Sequence, residues 1–149
     1  MTGSSSHSAV SQTFHASCVA REGRAILISG RSGSGKSDLA LRLIDRGAVL
    51  VSDDYTIVQR VDGRLLASAP ASIAGKIEVR GVGILDFGSV QDAPVALYVD
   101  LDREVDRLPE EHDTISILGV EVPAIAANAL EASAPVKLEA ALAHFGLKA

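Results

Sequence analysis

Apolar positions in this chain fall in short runs, mostly of strand length, separated by turns rich in glycine and charge. Phe14–Ala20 predicts a strand, closed by a turn at Glu22-Gly23. Ala25–Ser29 predicts a second that pairs with it or lies beside it. The spacing then becomes helical from Lys36 to about Asp45, where Leu39, Ala40, Leu43 and Ile44 share a face and Gly47 supplies a stop. Val49–Ser52 is another apolar run and leads into Asp53-Asp54. Ile57–Arg60 and Leu65–Ala67 flank Asp62-Gly63, a hairpin signal. Pro70–Gly75 predicts a loop with little regular structure. Ile77–Arg80 and Val82–Phe87 are strand-like around Gly81 and Gly83, and Val95–Asp100 is a further strand. Arg103–Asp113, charged and carrying Pro109, predicts a surface loop, and Ile115–Val122 a strand or hairpin turning at Gly119. Pro135 opens a last helix whose buried face is Leu138, Ala141, Leu142 and Phe145, with Gly146 at its end. The polar, Ser-rich segment 1–12 is expected to be a disordered tail, and residues 13–149 one domain. So many strands with so few helices predict an α/β fold built on a mixed, partly antiparallel sheet, not an alternating βαβ array.

Between the second strand and the first helix stands Gly30-Arg31-Ser32-Gly33-Ser34-Gly35-Lys36-Ser37, a complete G-x-x-x-x-G-K-[ST] phosphate-binding loop. Its glycines permit the close wrap of backbone N–H groups around phosphates, and the helix N-terminus adds its dipole. Lys36 is placed to reach the outer phosphates and the Ser37 hydroxyl to ligate Mg²⁺. A nucleotide with Mg²⁺ is therefore the expected ligand.

Composition narrows the setting. The chain has 149 residues and a formal charge of −5 without a basic tract, which argues against nucleic acid as partner. No window approaches the roughly 20 apolar residues of a membrane span, and the opening segment lacks the basic start and apolar stretch of a signal peptide. One cysteine, Cys18, allows no internal disulfide and suits a reducing cytoplasm. It reads as a buried, inert thiol.

Four further groups carry candidate chemistry. A carboxylate on a strand beside a phosphate loop commonly supports Mg²⁺, and a second near the γ-phosphate can accept a proton from an attacking hydroxyl. Asp53 and Asp54 fit those tasks, but neighbours on a strand face opposite ways, so they share a site only if the strand bends or ends there. Glu78 and Arg80, two apart on an expected strand, face one side. They form either a metal- and phosphate-holding pair or an exposed ion pair. His15, judged alone, reads as a structural histidine.

Three segments together resemble the HPr kinase/phosphorylase family, in its catalytic domain: Ile26–Ser37 with the phosphate loop, Arg46-Gly-Ala-Val-Leu-Val-Ser-Asp-Asp54, and Ile77-Glu-Val-Arg-Gly-Val-Gly-Ile-Leu-Asp86. The likeness covers Phe14–Phe87 well and the remainder poorly. It implies a phosphoenolpyruvate-carboxykinase-like phosphate-loop fold, Mg-ATP-dependent phosphorylation of a serine on the phosphocarrier HPr or a paralogue, reversal by phosphorolysis in many members, and a homo-oligomer, typically a hexamer. Carried onto this chain, it implies that Lys36 binds phosphate and that Ser37, Glu78 and Asp53 serve the metal. Asp54 becomes the proton acceptor from the substrate serine, His15 a catalytic histidine near the phosphates, and Arg80 an active-site residue. The family's additional N-terminal domain has no expected counterpart in these residues, and its Arg-containing stretch near the C-terminus has none either. The last arginine is Arg107, and Val122–Asn128 holds no cation. Two alternatives therefore stand beside the kinase: a nucleotide-sensing module without turnover, and a small-molecule kinase, although no arginine-rich lid segment is present.

Overall fold

A computed structural model describes residues 10–108 and 113–148. His7, Pro109 and His112, and with them most of the expected tail and part of the expected charged loop, lie outside the described residues. In chain order the strands are β1 (Ser11–Phe14), β2 (Ala16–Arg21), β3 (Arg24–Ser29), β4 (Val49–Ser52), β5 (Thr56–Val61), β6 (Arg64–Ser68), β7 (Lys76–Val79), β8 (Gly83–Asp86), β9 (Ala93–Asp100), β10 (Asp113–Ile117) and β11 (Val120–Ala126). Helix α1 is Lys36–Asp45, helix α2 is Ala134–Phe145, and a short 3₁₀ turn occupies Ala71–Ile73 within the expected loop. Ser11 and Gln12, expected in the tail, belong to β1, which pairs antiparallel with β5 from Ser11↔Gln59 to Phe14↔Thr56. The expected strand Phe14–Ala20 is two strands that break at His15.

The main sheet runs β1-β5-β6-β9-β3-β2-β4, with β11 beside β9 and β10 beside β11; β7 and β8 form a separate hairpin. The β3–β9 and β9–β11 pairs are parallel and the rest of the sheet is antiparallel, the mixed arrangement the sequence predicts.

Alternation along the strands builds two apolar layers. Val19, Ile26, Ile28, Leu50, Leu97 and Val99 face α1 and α2 and pack on Leu39, Leu43, Leu138 and Leu142. Cys18, Leu27, Val51, Val58, Val95 and Val122 form the opposite layer, closed by the hairpins β5–β6 and β10–β11. Two irregularities set the phase. In β9 the pairing jumps from Ala25↔Val95 to Ile26↔Leu97, so Ala96 is the extra residue. Its carbonyl accepts the Leu147 N–H at 3.0 Å. In β4 the pairing jumps from Cys18↔Ser52 to Val19↔Leu50, which makes Val51 the extra residue just before the Asp53-Asp54 pair. Helix α1 is tied to α2 at its end by Arg46, whose guanidinium grips both Glu139 carboxylate oxygens at 2.8–3.0 Å.

Candidate active site

The phosphate loop leaves the end of β3 and enters α1. Gly30 is buried, and a methyl group on its Cα would meet Ser34 and lie 3.1 Å from Leu101 Cβ, so only glycine lets the loop close over the strand. Gly35 caps α1 in the left-handed region (φ +99) and packs so near Ala129 that an added methyl would stand 2.9 Å from its Cβ. Ser34 N–H donates to Arg31 O at 3.0 Å, and Arg31 N–H to Asp102 Oδ2 at 3.0 Å, which fixes the loop's shape. The first-turn amides of α1 have no intrahelical partner and carry the positive end of the helix dipole, an anion site by construction. Lys36 is 5% exposed, and its Nζ donates to Gly30 O (2.8 Å) and Arg31 O (3.1 Å). Ser34 Oγ, in the same loop, is the buried side-chain polar atom without a hydrogen-bond partner among the described residues.

Both aspartates reach the loop because β4 ends at Ser52 and the chain turns. Asp54 takes φ +67, a left-handed conformation that an acidic residue adopts at modest cost, so the two carboxylates need not point to opposite faces. Local bonds hold this turn: Tyr55 N–H to Asp53 O (2.7 Å), Thr56 Oγ1–H to Ala16 O (2.8 Å) and the Ser52 hydroxyl to Tyr55 O. Asp53 is buried and accepts three donors: Ser17 Oγ–H (2.9 Å) and Ser37 Oγ–H (2.6 Å) on Oδ1, and Glu78 N–H (3.2 Å) on Oδ2. Asp54 is exposed; its Oδ1 lies 2.9 Å from His15 Nε2 and 4.0 Å from Lys36 Nζ. The His15 ring stacks on Tyr55, centroids 5.0 Å apart.

A cleft of about 490 Å³ opens over these groups, lined by the loop, Leu41 of α1, both aspartates, and Glu78, Val79 and Arg80. Glu78 and Arg80 thus share the cleft, but not as neighbours on one strand face: β7 ends at Val79 and Arg80 begins the turn into β8. Neither side chain has an ion pair or hydrogen bond among the described residues, so the exposed ion pair is absent. No group of three or more His, Cys, Asp or Glu side chains among the described residues could cage a metal. Ser37, Asp53 and Glu78 offer the oxygen donors that a Mg²⁺ would take.

Residues 122–128 run through β11 toward the loop without a cation. Arg42 of α1 reaches just past them, donating to the carbonyls of Ala129 and Glu131 and to Asp38 Oδ2. Sequence reasoning missed Ser17, Tyr55 and Arg42. Ser17 carried one usable signal, a hydroxyl inside an otherwise apolar strand.

Residues 6–148 match the family described as HPr Serine kinase C-terminal domain. The chain is 38% identical over 121 residues to the HPr kinase/phosphorylase of Clostridium beijerinckii, covering 73% of this chain and 40% of that protein. It is 40% identical over 124 residues to that of Caldanaerobacter subterraneus subsp. tengcongensis, covering 74% of this chain and 41% of the relative. It therefore spans about two fifths of the length of the curated relatives it matches. The solved structure of the HPr(Ser) kinase/phosphatase from Coxiella burnetii superposes with a TM-score of 0.77 at 31% identity, covering 89% of this chain and 94% of that one.

Proposed function

The chain belongs to the HPr serine kinase C-terminal domain family, and on that premise we propose that it is a Mg-ATP-dependent kinase acting on a serine of HPr or an HPr-like carrier. The observation that carries the reading is the Asp54 carboxylate beside Lys36 Nζ (4.0 Å) at the mouth of a phosphate loop. Within the loop Gly30–Ser37, the N–H groups of Arg31 and Ser34 hold its shape through Asp102 and Arg31 O, those of Ser32, Gly33, Gly35, Lys36 and Ser37 cradle the phosphates, and Lys36 exchanges its loop carbonyls for phosphate oxygens. Ser37, Glu78 and Asp53 would hold Mg²⁺, and Asp53 orients the Ser37 hydroxyl by accepting its hydrogen bond at 2.6 Å. When bound, the metal neutralises charge on the phosphate oxygens. Asp54 takes the proton from the carrier's serine as its oxygen bonds to the γ-phosphorus and the β–γ bridging bond breaks to release ADP. In the reverse direction the same carboxyl returns the proton. His15 holds Asp54 in place at 2.9 Å, and Arg80, in the lining of the same cleft, serves the transferring phosphoryl group. A homo-oligomer, hexameric by family resemblance, and a cytoplasmic location belong to the same reading. No helix among the described residues is long and apolar enough to cross a membrane.

One observation favours a second reading, a nucleotide sensor without turnover: residues 122–128 offer no cation and Arg42 is already engaged with carbonyls. Incubating the chain with Mg-ATP and HPr, then mapping phosphate by mass spectrometry, separates the readings. Phosphoserine on HPr supports the kinase. ATP binding with no transfer supports the sensor, and phosphate on a metabolite supports a small-molecule kinase.

A further inference from the structure

Asp53 and Asp54 are consecutive, yet they must serve different partners, one the metal side of the site and the other the incoming alcohol. We propose that Ser17, which rests on that reading of the site, is the positioning residue that fixes the two carboxylates relative to each other. Ser17 lies in β2, fully buried, between Ala16 and Cys18, both also fully buried. A hydroxyl in such a strand is costly unless its bonds are made. Both of its capacities are used: Oγ–H donates to Asp53 Oδ1 at 2.9 Å, and the oxygen accepts the Asp54 N–H at 3.0 Å. One oxygen thus touches the side chain of the first aspartate and the backbone of the second.

The second contact falls where the chain needs it. Asp54 sits at φ +67, a conformation an aspartate reaches at modest cost, and the Ser17 bond to its N–H ties the turn in that shape. Of the three buried hydroxyls around the turn, Ser52 and Thr56 bond only backbone carbonyls, those of Tyr55 and Ala16. Ser17 alone reaches a carboxylate. Asp53 keeps Ser37 Oγ–H and Glu78 N–H if Ser17 is lost, whereas the Asp54 N–H has no other bond among the described residues. The consequence is asymmetric. Removing the hydroxyl leaves the metal-side aspartate anchored and releases the aspartate that takes the proton, together with its approach to His15 and Lys36.

The test compares Ser17→Ala and Ser17→Thr with the full chain, and Cys18→Ala as a packing control in the same strand. In Ser17→Ala, kcat for phosphoserine formation on HPr falls about 10-fold or more, while KM for Mg-ATP stays within about twofold. The amide of Asp54, followed by NMR, exchanges with solvent about 10-fold faster, while the amides of Leu27 and Ile28 in β3 are unchanged. Ser17→Thr, which keeps the hydroxyl, restores kcat and slow exchange. Cys18→Ala lowers stability without separating kcat from KM. Unchanged Asp54 exchange in Ser17→Ala overturns the proposal, as does a rise in exchange shared by β3 or a loss of kcat matched by Cys18→Ala. If the wild-type chain makes no phosphoserine, the kinase reading falls, and Asp54 exchange still decides whether Ser17 holds the turn.

Discussion

Lys36 is held by two carbonyls of its own loop, Gly30 O and Arg31 O, and stands 4.0 Å from Asp54. A cation so enclosed gives up these bonds only for a stronger acceptor, and phosphate oxygen is one. Lys36→Met removes about 1.5–3 kcal/mol of charged hydrogen bonding, so ATP affinity measured by calorimetry is expected to fall about 10- to 100-fold. Cys18 shows the opposite use of burial. Enclosure in the second apolar layer pushes its thiol well above the usual range, which keeps it protonated. A thiolate-selective reagent at mildly alkaline pH is expected to leave the folded chain unmodified and to label it fully after unfolding. The loop residues were legible in the sequence because the G-x-x-x-x-G-K-[ST] spacing is complete between a strand and a helix. Asp53 and Asp54 were legible as a pair, but their meeting at one site was not, since it depends on φ +67 at Asp54 and on the Ser17 hydroxyl from a distant strand. His15 alone read as structural. Its 2.9 Å contact with Asp54 spans 39 residues of sequence and leaves no local pattern.

At the scale of elements, periodicity located most strands and both helices because each buries one face. What it missed were interruptions. The run Phe14–Ala20 reads as one strand but divides at His15, since β1 pairs with β5 and β2 with β3 and β4. The extra residues Val51 and Ala96 are apolar like their neighbours, so nothing in the pattern marks them. The Val51 irregularity matters for the site, because it lies two residues before Asp53 and re-phases the end of β4. The hairpin β7–β8 forms where the strand-like runs lie: Ile77 is buried, while Val82 (68% exposed), Ile84 (71%) and Phe87 project outward. Two substitutions separate these environments. Leu39→Ala, in the face of α1 that packs on the sheet, is expected to cost about 2–5 kcal/mol in denaturant unfolding, whereas Ile84→Ser stays within about 0.5 kcal/mol.

Across the whole molecule, the mixed sheet brings three separate stretches to one cleft: the loop after β3, the turn after β4, and the end of β7. The phosphate loop and helix α1 present positive charge, the turn presents the Asp54 carboxylate, and Glu78 of β7 and Arg80 just after it add side chains without a hydrogen bond or ion pair among the described residues. The central claim is that Asp54, positioned against Lys36 and His15, takes the proton of the attacking alcohol. Single-turnover transfer from Mg-ATP to HPr, measured for the wild-type chain and Asp54→Asn with ATP affinity determined on the same preparations, tests it most directly. The account predicts a transfer rate about 10²–10⁴-fold lower with ATP affinity nearly unchanged. A variant that transfers phosphate at the wild-type rate would contradict it.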